Sequence, residues 1–193
     1  MTNKKRPWCP DATFHITARG NHRNDIFRDD EDFQVYCTFM QAALEYFDGQ
    51  FEIYSYCLMN NHVHILIKTF NLHISNFFAR VHGIYARYFN HKYNYIGHLF
   101  QDRYFSELVE SDAQMLSTSR YIHLNPIRAK MVKKTEDYYW SSYSMLIGLS
   151  EEKLIKSEKI LSYFQQENCK DLYREFVECK VKLYENEEEE EIM

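Results

Sequence analysis

The pattern of apolar and polar positions along the chain divides its first 148 residues into alternating short strands and longer helices. FHITARG (14–20) alternates with period two and predicts a strand, since strand side chains point to opposite faces in turn. Phe33, Tyr36, Cys37, Met40, Ala43, Leu44 and Phe47 recur at spacings of three and four, which predicts a helix ending at Asp48-Gly49. Asp29, Asp30 and Asp32 suit its N-terminus, where the helix dipole favours negative charge. FEIYSYCL (51–58) is aromatic and β-branched and predicts a second strand. Met59-Asn60-Asn61 supplies a turn, and NHVHILIK (61–68) the returning strand. A second amphipathic helix follows over 73–91, with Ile74, Phe77, Phe78, Val81, Ile84, Tyr85, Tyr88 and Phe89 on one side. HLFQDRYFSELVE (98–110) reads as a fourth strand. Ser111 with Gln114 reads as a capping box opening a third helix. Pro126 has no N–H and clashes with the preceding turn, so this helix is expected to break at Asn125-Pro126.

The order βαββαβ followed by a helix predicts an α+β sandwich of ferredoxin-like type. An antiparallel sheet would carry two helices on one face and leave the other face free for work. Composition shifts near residue 148. SEEKLIKSEKILSYF and KDLYREFVECKV predict two short amphipathic helices, and ENEEEEEIM a disordered acidic tail. The expected organisation is a catalytic domain over 1–148, a helical extension over 149–184 and the tail over 185–193.

Charge sharpens this division. The net charge is −5, but residues 1–134 carry +3 and residues 135–193 carry −8. An overall acidic chain therefore contains a basic body that can face nucleic acid. Five cysteines occur without a CxxC pair, which points to free thiols in a reducing compartment rather than a disulfide framework or a cysteine zinc site. No stretch has the length of a signal peptide core or a membrane span. The expected location is the cytoplasm, with no membrane partner.

His62 and His64 stand at i and i+2 of the third strand, so both imidazoles share one face while Val63, Ile65 and Ile67 take the other. Such a pair is a poor core element and a good cation ligand, although most HxH pairs in strands are structural. Tyr121 and Asn125 are four apart in SRYIHLNPIRA and share one helix face. Two imidazoles and an amide oxygen suit Mn²⁺ or Mg²⁺ and would also take Zn²⁺ or Ni²⁺. A tyrosine beside such an ion can attack a phosphodiester. The bland alternatives are an ordinary packing contact for Tyr121 and an N-cap before Pro126 for Asn125.

Five stretches in order, FHITARGNHRNDIF, YCLMNNHVHILIK, GHLFQDRYFSELV, RYIHLNPIRAKMV and YYWSSY, span residues 7–147. Together they resemble the single-tyrosine HUH transposases, in particular the REP-associated tyrosine transposases related to the smallest insertion-sequence transposases. The resemblance implies that His62 and His64 are metal ligands and Tyr121 the nucleophile, forming a 5′-phosphotyrosine link with single-stranded DNA and releasing a 3′-OH. Asn125 would be the third ligand, one methylene shorter than the Gln of insertion-sequence relatives. The implied cofactor is a divalent ion, Mg²⁺ or Mn²⁺, with no nucleotide cofactor. The implied partner is single-stranded DNA folded as a hairpin with a short guide sequence beside it. Insertion-sequence relatives exchange the tyrosine helix between subunits. For this chain the reading favours a monomer and leaves a dimer open.

Arg19, Arg23, Arg103 and Arg128 are candidate DNA contacts, with Arg19 and Arg103 the better placed beside motif residues. His22, Asn24, Gln101 and Tyr104 are weaker candidates, and Trp140 is assigned to the core. Three other functions compete with the transposase reading: a non-catalytic hairpin-binding protein, an RNA-binding module with an aromatic sheet face, and a metallonuclease that uses water.

Overall fold

The computed structural model describes residues 8–164 and 167–192, with side chains described as far as residue 181. Four strands, β1 (Ala12–Arg19), β2 (Phe51–Met59), β3 (His62–Thr69) and β4 (Phe105–Val109), form one sheet in the order β2-β3-β1-β4. Every neighbouring pair is antiparallel. Two helices, α1 (Asp30–Tyr46) and α2 (Ile74–Tyr93), pack against each other on one face. The architecture is the expected α+β sandwich.

Strand alternation decides which residues fill the layer under those helices. Phe14, Ile16 and Ala18 of β1 and Val63, Ile65 and Ile67 of β3 are buried, as are Tyr36 and Met40 of α1 and Phe77, Phe78, Val81, Tyr85 and Phe89 of α2. Each side chain of this size contributes roughly 1.5–3 kcal/mol on full burial, so the layer is the main source of stability. Asp29 caps α1 by accepting from the Asp32 N–H at 3.0 Å, as its position before the acidic first turn requires. Lys92 of α2 then ties the two helices together. Its Nζ lies 2.8 Å from carboxylate oxygens of Asp29 and Glu31 and 2.9 Å from Asp32.

The opposite face is only partly free. Helix α3 (Asp112–Arg128) crosses β2 and reaches β3, leaving β1 and β4 uncovered beside it. Ser111 caps α3 by accepting from the Gln114 N–H at 3.2 Å, so the predicted start holds. The predicted break at Asn125-Pro126 does not occur. Pro126 leaves the Ile122 carbonyl without its i+4 donor. The Asn125 side chain replaces that donor, its Nδ2 giving hydrogen bonds to Ile122 O at 3.3 Å and Tyr121 O at 2.8 Å. The helix therefore runs on to Arg128.

The fourth strand is also shorter than the sequence pattern predicts. Residues 98–104 follow the end of β1, with a bridge between Gly20 and Phe100 and a Gln101 N–H donating to Arg19 O at 2.9 Å. The polar Gln101-Asp102-Arg103 run then leaves the sheet, and regular pairing resumes only at Phe105.

Beyond α3 the chain forms two single-turn helices, α4 (Tyr143–Leu146) and α5 (Glu158–Leu161), then α6 (Cys169–Ile192). Of the two short helices expected, the first contains only the single turn α5, and the second is part of α6, which continues into the acidic run expected as a tail; residue 193 lies outside the described residues. Helix α6 packs on α3 through a buried polar chain. The Tyr173 hydroxyl lies 2.7 Å from Ser119 Oγ and 2.8 Å from His123 Nδ1, and His123 Nε2 lies 3.0 Å from Ser142 Oγ. All four side chains are fully buried, so the chain fixes α3 both to α6 and to the segment before α4. Trp140 is half-buried and stacks on Phe33 at 4.8 Å, in keeping with a packing role. All five cysteines are free thiols.

Candidate active site

A cleft of about 1050 Å³ opens between the uncovered part of the sheet and α3. His62 and His64 enter it from β3, Tyr121, Asn125 and Arg128 from α3, Arg19 from the end of β1, and Arg103 from the loop before β4. Seven of the eight residues singled out in the sequence thus line one cavity. Arg23 does not line it; it is exposed in the short helical turn Asn21–Arg23. Of the weaker candidates, Gln101 lines the cleft, His22 and Asn24 are exposed outside it, and Tyr104 is buried beside α2.

The histidine pair is delivered by a hairpin anchored from outside the sheet. Met59 and His62 close the turn, and Asn60 O accepts from the Ile26 and Phe27 N–H groups at 2.8 and 2.9 Å. Gly20 donates its N–H to Asn61 O at 2.8 Å. A Cβ at Gly20 would stand 2.1 Å from Asn24 O, so the tight turn from Gly20 to Asn24 beside the hairpin requires glycine.

Each imidazole is held at one nitrogen. His62 Nδ1 lies 2.6 Å from Asn61 Oδ1, and Asn61 Nδ2 donates to Arg23 O at 3.1 Å. His64 Nδ1 lies 3.1 Å from both Thr17 Oγ1 and His15 Nε2. Among the described residues the Nε2 atoms of both rings have no hydrogen-bond partner. At Asn125 the two acceptors of its amide are carbonyl oxygens, so Nδ2 faces them and Oδ1 is left over. Two bare Nε2 atoms and one amide oxygen, all on the wall of the same cleft, fit a divalent ion with mixed nitrogen and oxygen preference. The outer partners Asn61, Thr17 and His15 orient the rings as metal-binding histidines require. Among the described residues no three His, Cys, Asp or Glu side chains could hold an ion together.

The electrostatics agree. Burial, with the nearby Arg19 charge, pushes the His62 imidazole down to about 4. Burial acts more strongly on His64, with His62, His15, Arg19 and Arg128 adding to it, and lowers it to about 2. Both rings are neutral at pH 7, the form that donates a lone pair. Three arginines and two carboxylates, Asp102 and Glu107, line the cleft, which leaves it on balance positive.

Tyr121 sits at the centre. Its ring meets His64 at 5.5 Å and 88° and His15 at 5.8 Å and 75°, and the Arg128 guanidinium lies over it at 5.2 Å. Tyr121 is 39% exposed, so it is open to the cleft.

The chain matches the family described as "Transposase IS200 like" over residues 9–125. It belongs to the IS200-like transposases. The matched segment takes in the sheet, both helices beneath it and α3 as far as Asn125. Among solved structures it is similar to a REP-associated tyrosine transposase bound to a REP hairpin. The TM-score is 0.63 at 18% identity, covering 81% of this chain and 91% of that one, a likeness of fold. A Deinococcus radiodurans protein assigned as a transposase is 17% identical over 63% of this chain and 95% of its own, with a TM-score of 0.43. No curated protein matches the sequence. Membership places this transposase among proteins of DNA transposition, and the fold expected from the resemblance is the one observed. Among the described residues no helix is long and apolar enough to cross a membrane.

Sequence reasoning missed His15, Thr17, Asn61 and Glu107. The alternation of FHITARG puts His15, Thr17 and Arg19 on one face, which is the signal that identifies the first two. Asn61 was read only as a turn former, and its bond to the next residue in the chain had no periodic signature. Glu107 faces the cleft because it pairs with His15, a register that the pattern of β4 alone does not reveal.

Proposed function

We propose that this transposase cuts and rejoins single-stranded DNA through a covalent link to Tyr121. The observation that carries the reading is the convergence of Tyr121, Asn125 and the two histidines, from separate elements, on one positively lined cleft. The Tyr121 phenol oxygen attacks a backbone phosphorus. A P–O(Tyr) bond forms and the P–O3′ bond breaks, so the 5′ phosphate stays on the protein. The phenol proton ends, in net balance, on the departing 3′ oxygen. A 3′-OH attacking the phosphotyrosine reverses the chemistry and joins strands without a nucleotide cofactor, since one phosphodiester replaces another. Arg128 packs over the Tyr121 ring, and Arg19 and Arg103, which line the same cleft, would hold phosphates of the strand.

His62, His64 and Asn125 would hold the divalent ion, Mg²⁺ or Mn²⁺. When bound, it supplies Lewis-acid polarisation of the phosphate under attack. The substrate is a single strand carrying a hairpin, in line with the DNA in the structure of the REP-associated relative. The protein acts as a monomer. The buried chain Ser119–Tyr173–His123–Ser142 supports action in cis, because it clamps the tyrosine helix to elements of its own polypeptide.

The reading is tested with labelled single-stranded hairpin oligonucleotides taken from DNA flanking the gene, with Mn²⁺ or with EDTA. Nicking that needs the ion, leaves a 3′-OH and is lost in His62→Ala and His64→Ala supports it. Binding without cleavage across oligonucleotides and ions would replace it with a hairpin-binding protein.

A further inference from the structure

His15 stands outside the residues proposed to hold an ion or attack DNA, yet its ring lies within hydrogen-bond distance of His64. Its ring stacks on that of His64 with centroids 5.3 Å apart and planes at 24°, and its Nε2 lies 3.1 Å from His64 Nδ1. Thr17 Oγ1 lies at the same distance from the same nitrogen. Thr17 is the direct cross-strand partner of His64, and His15 is the diagonal one, itself paired with Glu107 on β4.

We propose that His15 is a positioning residue that sets the tautomer of His64. This inference rests on the reading of His62, His64 and Asn125 as an ion site. Two ring nitrogens 3.1 Å apart share one proton. If the proton is on His64 Nδ1, His64 Nε2 carries a lone pair and can bind an ion. If it is on His15 Nε2, a neutral His64 keeps its proton on Nε2 and cannot bind until that proton leaves. The state of His15 therefore selects between a ligating and a non-ligating His64.

Thr17 cannot make that selection. A hydroxyl donates or accepts by rotating, so it satisfies either tautomer equally. An imidazole with its proton on Nδ1 only accepts at Nε2. Glu107 biases His15 towards that state. It lies across from His15 on the same sheet face, on the side away from β3, and attracts positive charge on that side of the His15 ring. It favours the His15 proton on the nitrogen turned from His64. The result is a polar row across three strands, Glu107, His15 and His64, in which His15 and His64 lie within hydrogen-bond distance and Glu107 acts on His15 through its charge. Outer-layer partners of this kind typically change ion affinity by about 10–100-fold.

The test reads the tautomer directly. Long-range ¹H–¹⁵N NMR of the ion-free protein, with His64→Asn used to assign the ring, should show His64 protonated on Nδ1. His15→Phe keeps a flat ring but offers no acceptor, and should move His64 towards the Nε2-protonated form. The same variant should lose about tenfold in Mn²⁺ affinity by titration calorimetry. His15→Gln, whose amide can accept or donate as the Thr17 hydroxyl does, should leave His64 between the wild-type and His15→Phe forms in both readouts. In strand cleavage the His15→Phe defect should shrink as Mn²⁺ is raised to saturation. A His15→Phe protein with unchanged His64 tautomer and unchanged Mn²⁺ affinity would overturn the proposal and leave His15 a packing residue. So would a switch produced by Thr17→Val but not by His15→Phe. If the wild-type protein fails to bind Mn²⁺ at all, the ion-site reading fails, while the NMR comparison still decides whether His15 sets the His64 tautomer.

Discussion

The rings of Tyr121 and His64 meet at 88° with their centroids 5.5 Å apart. One residue comes from a helix laid across the sheet and the other from a central strand, 57 positions earlier in the chain. Helix α3 is held over the sheet by the Tyr173 chain on its buried side, and Asn125 keeps its C-terminal turn helical across Pro126.

Asn125 has two tasks, and they can be separated. Its Nδ2 bonds the carbonyl that Pro126 orphans, and its Oδ1 remains for an ion. Asn125→Ala should destabilise the fold by about 1 kcal/mol, the usual net worth of such a bond. In a Pro126→Ala background the same change should cost less, because alanine restores a backbone N–H that reaches Ile122 O. Urea unfolding of the four proteins gives the coupling. The loss of Mn²⁺ affinity should persist in both backgrounds.

Asn61 should matter to His62 and little to the fold. Asn61→Ala removes the 2.6 Å contact to His62 Nδ1 and the bond to Arg23 O but keeps the backbone of the turn. Mn²⁺ affinity should fall by about tenfold, measured by calorimetry. The urea midpoint should move by no more than a surface substitution does, about 0.5 kcal/mol.

Gly20 should be intolerant of any side chain. Gly20→Ala places a Cβ 2.1 Å from Asn24 O, against backbone rather than a mobile tip. The turn from Gly20 to Ile26, which bonds the hairpin at Asn60 O and Asn61 O, must then shift. The expected loss is about 1–3 kcal/mol by denaturant unfolding, as for other overpacked sites.

Acid should weaken the clamp on α3. Burial pushes His123 down to about 3 from the ordinary imidazole range. Below about pH 6.5 the unfolded chain takes up a proton there and the folded chain does not. Stability from this group is therefore complete above about pH 6.5 and falls as pH drops towards about 3. The slope is about 1.4 kcal/mol per pH unit. His123→Gln should flatten that part of the stability profile in urea unfolding measured from about pH 7 to about pH 4.

The sheet, its two helices and the face shared by His62 and His64 were legible because strand and helix periods are local. What the sequence concealed was set by tertiary partners. Pro126 reads as a break until the Asn125 side chain is seen to replace the missing donor. Residues 98–104 read as strand because their apolar alternation resembles one, yet Gln101-Asp102-Arg103 leave the sheet and bring Arg103 to the cleft. His15 and Glu107 were passed over because their importance lies in a cross-strand register, which no single stretch encodes. Arg23 read like Arg19, but its place in the turn after Gly20 keeps it outside the cleft, and its carbonyl bonds Asn61 instead.

The most direct measurement is the mass of the tyrosine peptide after reaction. Protein is incubated with a hairpin oligonucleotide and Mn²⁺, denatured, and digested with nuclease and trypsin. Cleavage after Arg120 and Arg128 releases Tyr121 to Arg128 as one peptide. The account predicts that this peptide carries a nucleotide phosphate on Tyr121, and that Tyr121→Phe yields neither the adduct nor the strand break. Strand cleavage that continues in Tyr121→Phe, with no modified peptide in either protein, would contradict it and assign the chemistry to water.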